Sequence, residues 1–203
     1  EACKRWQVER MIHISSEEVY GPLETTEDSQ VTPATFYGAT KASSELLVKA
    51  AQINYDILRL SHNYGQRQDL NNFVPSAVHS ILNNKEMIFS GRSNQTRDWT
   101  YVEDTCSAIM AILHNSSQNQ VYNVSSGFEY SYLEVFQEIC NVFERGHELI
   151  KFVEGFPSQE DRKPLDISKL KTLGWKPNFK LKNGLFHTCS WYDKNSWFLR
   201  NNN

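Results

Sequence analysis

The sequence predicts an α/β fold with a parallel, doubly wound sheet. An apolar strand pattern at residues 10–15 ends in small hydroxyl residues and two carboxylates. Farther along, a helix pattern over residues 36–53 is followed by a strand pattern at residues 56–60. The order strand, helix, strand is the repeating unit of a parallel sheet. Because reactive groups in such sheets follow the carboxyl ends of strands, residues 15–18 are the first place to look for a site.

The helix patterns present apolar side chains at the spacing of one helical face. We predict helices over residues 36–53, 73–82 and 103–114, each packing this face into a core. The predicted core positions are Ala42, Leu46, Leu47 and Ala50 in the first helix, Val74, Ala77, Val78 and Ile81 in the second, and Ala108, Ile109, Ala111 and Ile112 in the third.

The remaining elements continue the alternation. Ser131 and Glu134 have the spacing of a capping box and open a helix that carries Val135, Phe136, Ile139 and Val142. Strands are predicted at residues 87–89, at 121–124 and from Leu149. A polar loop then runs to Pro164, and two helices follow at residues 168–173 and 181–192.

Composition excludes several functional classes. The 203 residues are 39% hydrophobic and carry a formal net charge of −3, without a polybasic segment. This argues against a nucleic-acid or anionic-membrane partner, and no apolar run approaches the length of a membrane span. With no signal peptide pattern, we expect a cytoplasmic protein. The four cysteines and six histidines show no metal-ligand spacing, so reduced cysteines and no metal are expected.

Tyr37 and Lys41 form the most informative pair for chemistry. They are four residues apart on a predicted helix, so the two side chains share a face. A nearby ammonium favours the phenolate form of a tyrosine, and a phenolate can accept a proton. The spacing alone is common, and the pair gains weight from the serines and carboxylates of residues 15–18.

Five motifs follow one another along the chain. They are Ser15-Ser16-Glu17-Glu18-Val19-Tyr20-Gly21, Tyr37-Gly38-Ala39-Thr40-Lys41, Arg59-Leu60-Ser61-His62-Asn63-Tyr64-Gly65, Arg97-Asp98-Trp99-Thr100-Tyr101-Val102-Glu103-Asp104 and Tyr122-Asn123-Val124. In this order they resemble the motifs of the extended short-chain dehydrogenases that act on nucleotide sugars, the NAD-dependent epimerase/dehydratase family. Within that family the chain looks most like the nucleotide-sugar 4,6-dehydratases, and the resemblance runs to about residue 192.

The resemblance implies a partial Rossmann-like sheet with a small C-terminal α/β substrate-binding lobe, and NAD as cofactor. It implies that residues 1–66 are the C-terminal part of the dinucleotide-binding domain. Residues 67–203 would form the substrate lobe, with Rossmann elements returning at about residues 98–124. The implied catalytic residues are Ser16, Glu17, Glu18, Tyr37 and Lys41. The implied cofactor contacts are Ser15, Tyr37, Lys41 and Leu60. The implied substrate contacts are His62, Asn72, Arg97 and Arg162.

The implied reaction converts an NDP-hexose, of the dTDP-glucose or UDP-glucose type, to the 4-keto-6-deoxy sugar. Tyr37 would take the proton of the 4-hydroxyl while Ser16 hydrogen-bonds the same oxygen. Glu18 would then remove the C5 proton and Glu17 would protonate the departing 6-hydroxyl. Two carboxyl groups with opposite protonation states are needed for this elimination.

Three positions depart from the family pattern. Glu17 stands where the dehydratases usually have Asp, His62 stands where Asn is usual, and Gln66 replaces the usual Pro. The extra methylene of Glu17 would move the acid by about 1.5 Å, a distance that matters for proton transfer. Epimerisation or decarboxylation of a nucleotide sugar, or an inactive or truncated NAD-binding homologue, therefore stay as alternatives.

The start of the chain carries an expectation of its own. Residues 1–6 look like the end of a helix, and no Gly-x-x-Gly-x-x-Gly occurs in the sequence. The family places such a glycine-rich turn against the dinucleotide pyrophosphate. We therefore expect an N-terminal part of roughly a hundred residues, by resemblance, to precede Glu1. The resemblance also implies a homodimer for the whole protein, paired through the Tyr37 helix and its predecessor.

Overall fold

The computed structural model describes residues 1–21, 25–90, 95–153 and 163–199. It confirms the α/β class, with parallel strand pairs joined through helices. Over the described residues the strands are β1 (Met11–Ser16), β2 (Tyr55–Leu60), β3 (His62–Tyr64), β4 (Met87–Phe89), β5 (Thr96–Tyr101), β6 (Gln120–Val124), β7 (Glu129–Ser131) and β8 (Ile150–Phe152).

The helices lie between and after these strands. Short 3₁₀ turns occur at Glu17–Val19, His147–Leu149 and Ser196–Leu199. The α-helices over the described residues are α1 (Ala2–Arg5), α2 (Phe36–Ala50), α3 (Phe73–Leu82), α4 (Val102–Asn115), α5 (Tyr132–Phe143), α6 (Ser168–Lys171) and α7 (Leu181–Lys194).

The largest sheet sets the position of the site. Its strand order is β1-β2-β6, and both pairs are parallel. Ser16 at the end of β1 lies opposite Leu60 at the end of β2, which in turn lies opposite Val124 at the end of β6. The carboxyl ends of three strands therefore meet at one edge, as the doubly wound prediction requires.

Two smaller sheets and their helices enclose most of the core. β3 pairs with β5 in parallel, β5 pairs with β7 antiparallel, and β4 pairs with β8 in parallel. The predicted stripe of α3 is buried throughout, and the capping box of Ser131 and Glu134 opens α5 as expected. In α4, Ala108 and Ile112 are buried, while Ile109 and Ala111 are half-buried.

The predicted core face of α2 is only partly correct: Ala42 is half-buried against the cluster of Val19, Tyr20 and Leu165, but Ala50 is exposed. Leu46 and Leu47 are 67% and 73% exposed, whereas Glu45 and Val48 are buried. The face of α2 toward the sheet carries polar side chains that bond to β1 and β2, so the leucines point outward. The helix also ends at Ala50 rather than at residue 53, because Gln52 has a left-handed φ of 54°.

Among the described strands, β3, β5 and β7 have no counterpart in the sequence prediction. β5 reads Thr-Arg-Asp-Trp-Thr-Tyr and lacks the apolar alternation of a typical strand. Its Asp98 is nevertheless buried, because its carboxylate accepts hydrogen bonds from Ser61 Oγ at 3.1 Å and from the backbone N–H groups of Ser126 and Gly127 at 2.9 and 2.8 Å. Hydrogen-bond donors from other parts of the chain thus satisfy the buried carboxylate of this polar strand.

Candidate active site

A cleft of about 550 Å³ opens at the carboxyl edge of β1 and β2. It joins residues that the sequence separates by up to 58 positions, from Ile14 to Asn72, because the two strands are paired in parallel. Nine of the predicted site residues line it: Ser15, Ser16, Glu17, Glu18, Tyr37, Lys41, Leu60, His62 and Asn72. Its other lining residues are Ile14, Thr35, Ser61, Asn63 and Gln68.

Helix α2 brings Tyr37 and Lys41 to this cleft. The Lys41 ammonium donates to the carbonyl oxygen of Ile14 in β1 at 3.0 Å, and its nitrogen lies 5.7 Å from the centre of the Tyr37 ring. Tyr37 itself is 55% exposed, so its phenol is open to a ligand in the cleft. The structure thus combines a phenol and an ammonium on one wall.

Ser16, Glu17 and Glu18 form the adjoining wall. Ser16 Oγ accepts the backbone N–H of Glu18 at 3.2 Å and opens the 3₁₀ turn that carries both acids. A hydroxyl that accepts this bond can still donate its own proton. Glu17 is only 6% exposed, whereas Glu18 is half-buried and its Oε2 accepts the Thr35 hydroxyl at 3.1 Å. The two carboxyl groups therefore have different surroundings.

Thr35 is a site residue that the sequence analysis missed. Its Oγ1 caps α2 by accepting the backbone N–H of Gly38 at 2.9 Å, and the same hydroxyl donates to Glu18. The helix with Tyr37 is thereby joined to the turn with the acids. A threonine just before a predicted helix is a recognised N-cap signal, so this contact was open to prediction.

Gly38 allows α2 to approach the acidic turn closely. A Cβ at this position would lie 2.1 Å from the carbonyl oxygen of Glu18, which is backbone and has no rotamer to change. Only glycine fits without separating the two walls of the cleft.

We expect Gly38→Ala to lower the free energy of unfolding by about 1–3 kcal/mol, the usual cost of overpacking. Alanine normally stabilises a helix interior relative to glycine by about 0.5–1 kcal/mol, so the sign itself is informative. Urea unfolding of the whole protein measures the change. The neighbouring exposed Ala39→Gly is the matched control and should cost only the intrinsic helix preference. Equal or greater stability of Gly38→Ala would contradict the close approach.

The predicted substrate contacts fall into three groups. His62 and Asn72 line the cleft, and Asn72 precedes the first turn of α3. Arg97 is not among the lining residues: it is 8% exposed, and its Nη1 donates to the carbonyl oxygen of Thr96 at 2.6 Å. Arg162 lies outside the described residues. Roles for both arginines in substrate binding stay predictions.

Tyr132 is a second neighbour of the site that the sequence analysis did not identify. Its ring meets the His62 ring edge-to-face, with centroids 6.0 Å apart. Burial raises the pKa of the Tyr132 phenol; Arg97 lowers this pKa, while Glu17 and Glu18 raise it further. Tyr132 therefore lies within electrostatic reach of both acids. In the sequence it only follows a capping serine, which gives no hint of this contact.

Ser15 has a partner that the sequence analysis did not identify. Its hydroxyl donates to Glu45 Oε1 at 2.6 Å, and the side chain is 3% exposed. Glu45 also pairs with Arg59 through two hydrogen bonds, Nε to Oε1 at 2.9 Å and Nη2 to Oε2 at 2.7 Å. Burial would raise the pKa of Glu45, but the hydrogen bonds from Arg59 and Ser15 hold this pKa below its usual value. A cofactor contact by Ser15 stays a prediction.

Neither a metal site nor a membrane span is found in the part of the chain that the structure describes. Those residues contain no group of three or more His, Cys, Asp or Glu side chains that could hold a metal ion. None of their helices has the length and apolar character needed to cross a membrane.

Comparison with known proteins identifies the family of this chain. Residues 1–125 match the family described as "NAD dependent epimerase/dehydratase family", and the chain belongs to this family. It is 33% identical over 192 residues to the low-salt glycan biosynthesis protein Agl12 of Haloferax volcanii, covering 91% of this chain and 62% of that protein. It is 35% identical over 209 residues to a trifunctional UDP-glucose 4,6-dehydratase, 3,5-epimerase and reductase of Arabidopsis thaliana, covering 96% of this chain and 31% of that protein.

A solved structure extends the comparison to the fold. The crystal structure of dTDP-glucose 4,6-dehydratase from Bacillus anthracis in complex with NAD superposes with a TM-score of 0.89 at 28% identity, covering 100% of this chain and 67% of that one. The two curated relatives are longer than this chain, which covers 62% of the length of the first and 31% of the length of the second.

Proposed function

We propose that the whole protein is an NAD-dependent nucleotide-sugar 4,6-dehydratase, a lyase that converts an NDP-hexose to the NDP-4-keto-6-deoxyhexose. One observation carries the proposal: the cleft combines the Tyr37 and Lys41 pair with a hydroxyl and two adjacent carboxyl groups. Oxidation of an alcohol needs the first pair, and elimination of water needs an acid and a base in addition.

NAD fits the described part of the cleft. Ile14 and Leu60 offer apolar surface at the strand ends, and the Lys41 ammonium and Tyr37 phenol offer polar groups beside it. We propose that these residues hold the nicotinamide end of the cofactor. When bound, NAD supplies the hydride acceptor for C4 and the donor for C6. Everything else in the reaction is proton transfer and positioning by the protein.

The residues act in sequence. Tyr37 Oη takes the proton of the sugar 4-hydroxyl, and the Ser16 hydroxyl donates a hydrogen bond to the same oxygen. Glu18, whose carboxylate accepts a hydrogen bond from the Thr35 hydroxyl, removes the C5 proton once C4 is a ketone. It returns this proton to C5 when C6 receives the hydride. Glu17, nearly buried, donates a proton to the 6-oxygen as it leaves as water.

The substrate class follows from the same assignment. A nucleoside diphosphate carries two negative charges at its pyrophosphate, and guanidinium groups bind phosphate oxygens in a bidentate manner. We propose that His62 and Asn72 contact the sugar-phosphate end, with Arg97 and Arg162 serving the phosphates. Residues 67–203 would contribute most of this substrate lobe.

Product analysis tests the function. The whole protein, supplied with NAD, is incubated with dTDP-glucose, UDP-glucose and UDP-glucuronate, and the products are separated by mass and NMR. We expect a product lighter by one water, with a 4-keto group and a 6-methyl group. A 4-epimer of unchanged mass would favour an epimerase, and carbon dioxide from UDP-glucuronate would favour a decarboxylase; either result without dehydration contradicts the proposal.

A homodimer is the proposed assembly. Its support is the outward face of α2, where Phe36, Leu46 and Leu47 are 96%, 67% and 73% exposed. Apolar area of this kind on one helix is typical of a protein–protein contact. We expect Leu46→Glu with Leu47→Glu to shift the whole protein from dimer to monomer in sedimentation. Exposed Lys49→Glu on the same helix is the control, and a double variant that stays dimeric would contradict this interface.

A further inference from the structure

The segment that carries the proposed acid, base and hydroxyl is held at both ends by one buried ion pair. At its start, the Ser15 hydroxyl donates to Glu45 Oε1 at 2.6 Å. At its finish, the Tyr20 hydroxyl accepts a hydrogen bond from Arg59 Nη1 at 2.8 Å, and the Arg59 guanidinium carbon lies 4.6 Å from the centre of the Tyr20 ring. Ser16, Glu17 and Glu18 lie between these two contacts.

The same ion pair also fixes the other half of the site. Glu45 belongs to α2, four residues after Lys41 and eight after Tyr37, so these three side chains lie along one face of the helix. Arg59 belongs to β2 and binds Glu45 with both arms of its guanidinium. Both partners are only 2% exposed. The pair therefore joins the helix of Tyr37 to the segment of the acids through a strand of the sheet.

Stability alone does not explain such a pair. Removing two charges from water is costly, and a buried ion pair can often be replaced by apolar side chains of similar volume without loss of stability. A bidentate guanidinium, by contrast, fixes distance and direction with little freedom. What Glu45 and Arg59 provide, and apolar side chains would not, is a defined geometry between the two walls of the cleft.

We propose that Glu45 and Arg59 are positioning residues, which set the distance of Ser16, Glu17 and Glu18 from Tyr37 and Lys41. This inference rests on the proposed function for its catalytic consequence, although the geometric part can be measured separately. Neither residue lines the cleft, so both would act through Ser15, Tyr20 and α2.

The test compares two ion pairs that each have one partner on β2. The first is Glu45→Met with Arg59→Met in the whole protein. The matched control is Arg10→Met with Asp56→Asn, because Arg10 Nε donates to Asp56 Oδ2 at 2.7 Å at the amino end of β2, away from the cleft. Asparagine keeps an oxygen for the Gln120 N–H that Asp56 accepts at 3.1 Å.

We expect the Glu45/Arg59 variant to fold, with Tm close to that of the wild type. Its kcat should fall on the order of 100-fold, the effect of a misplacement of about 1 Å, with KM unchanged. The Arg10/Asp56 variant should change Tm without changing kcat. A Glu45/Arg59 variant that keeps wild-type kcat overturns the proposal. If it fails to fold, Arg59→Lys decides: a folded protein with lowered kcat supports positioning, and unchanged kcat overturns it.

Amide hydrogen exchange separates this inference from the proposed function. In the Glu45/Arg59 variant, or in Arg59→Lys if that one is used, we expect faster exchange at residues 16–20 than in the wild type. The Arg10/Asp56 variant should show no change there. If the wild type converts no nucleotide hexose, the proposed function fails, and exchange alone decides: faster exchange supports the positioning role, and unchanged exchange overturns it.

Discussion

Tyr37→Phe in the whole protein is expected to lower kcat for the nucleotide sugar by about 1000-fold or more. Removal of the phenolic oxygen deletes the proposed proton acceptor for the 4-hydroxyl, and a general base contributes about 10²–10⁴ in rate. The ring itself remains, so packing is kept. Because Tyr37 is 55% exposed, the free energy of unfolding should change by less than about 0.5 kcal/mol.

Steady-state kinetics and urea unfolding measure the two effects together. Tyr55→Phe is the matched control, because Tyr55 begins β2 at the end of the sheet opposite the cleft. It should leave kcat unchanged. Turnover by Tyr37→Phe at the wild-type rate would exclude Tyr37 as the base. If the variant were inactive only because it is unfolded, its midpoint of urea unfolding would differ from that of the wild type.

The sequence predicted the structure correctly where contacts between neighbouring residues determine it. The apolar stripe of α3 and the capping box at Ser131 were correct because side chains three or four residues apart meet on one helix. The predicted cleft residues from Ser15 to Lys41 were identified from short motifs and from the family resemblance that these motifs carry.

Long-range polar contacts are what the local patterns missed. Leu46 and Leu47 looked like core positions, but Glu45 is the buried residue because Arg59, fourteen positions away, pairs with it. β5 was missed because Asp98 finds its donors in the loop after β6. Tyr132 reaches His62 across seventy positions. Sequence periodicity cannot predict these contacts. It indicates which residues share one face of a helix or strand, but it does not indicate which residues pack against that face.

Glu18→Gln tests the step that distinguishes elimination from simple redox chemistry. The amide keeps the shape of the side chain and cannot take up the C5 proton, so kcat should fall by about 1000-fold or more. The fold should be retained, because Glu18 is only half-buried and an amide oxygen can still accept the Thr35 hydroxyl. The control is Glu9→Gln, an exposed glutamate before β1, which should leave kcat unchanged.

Deuterium at C5 of the substrate identifies the step that is slowed. In Glu18→Gln, cleavage of the C5–H bond should limit the rate, so its isotope effect on kcat should exceed that of the wild type. In Tyr37→Phe, an earlier step limits, and the effect should not rise. A Glu18→Gln variant with wild-type kcat, or with a slow rate and no C5 isotope effect, would contradict its role as the base.

A comparison of two substrates distinguishes the proposed role of Glu17, as the acid, from that of Glu18, as the base. Fluoride leaves carbon without first taking a proton, so a 6-deoxy-6-fluoro substrate has less need of an acid than the natural 6-hydroxyl. Glu17→Gln should therefore lose much of its activity on the hydroxyl substrate and regain most of it on the fluoro analogue, whereas Glu18→Gln should be slow on both. Equal losses on the two substrates would remove Glu17 from the role of acid, even though it lies beside Glu18 in the cleft.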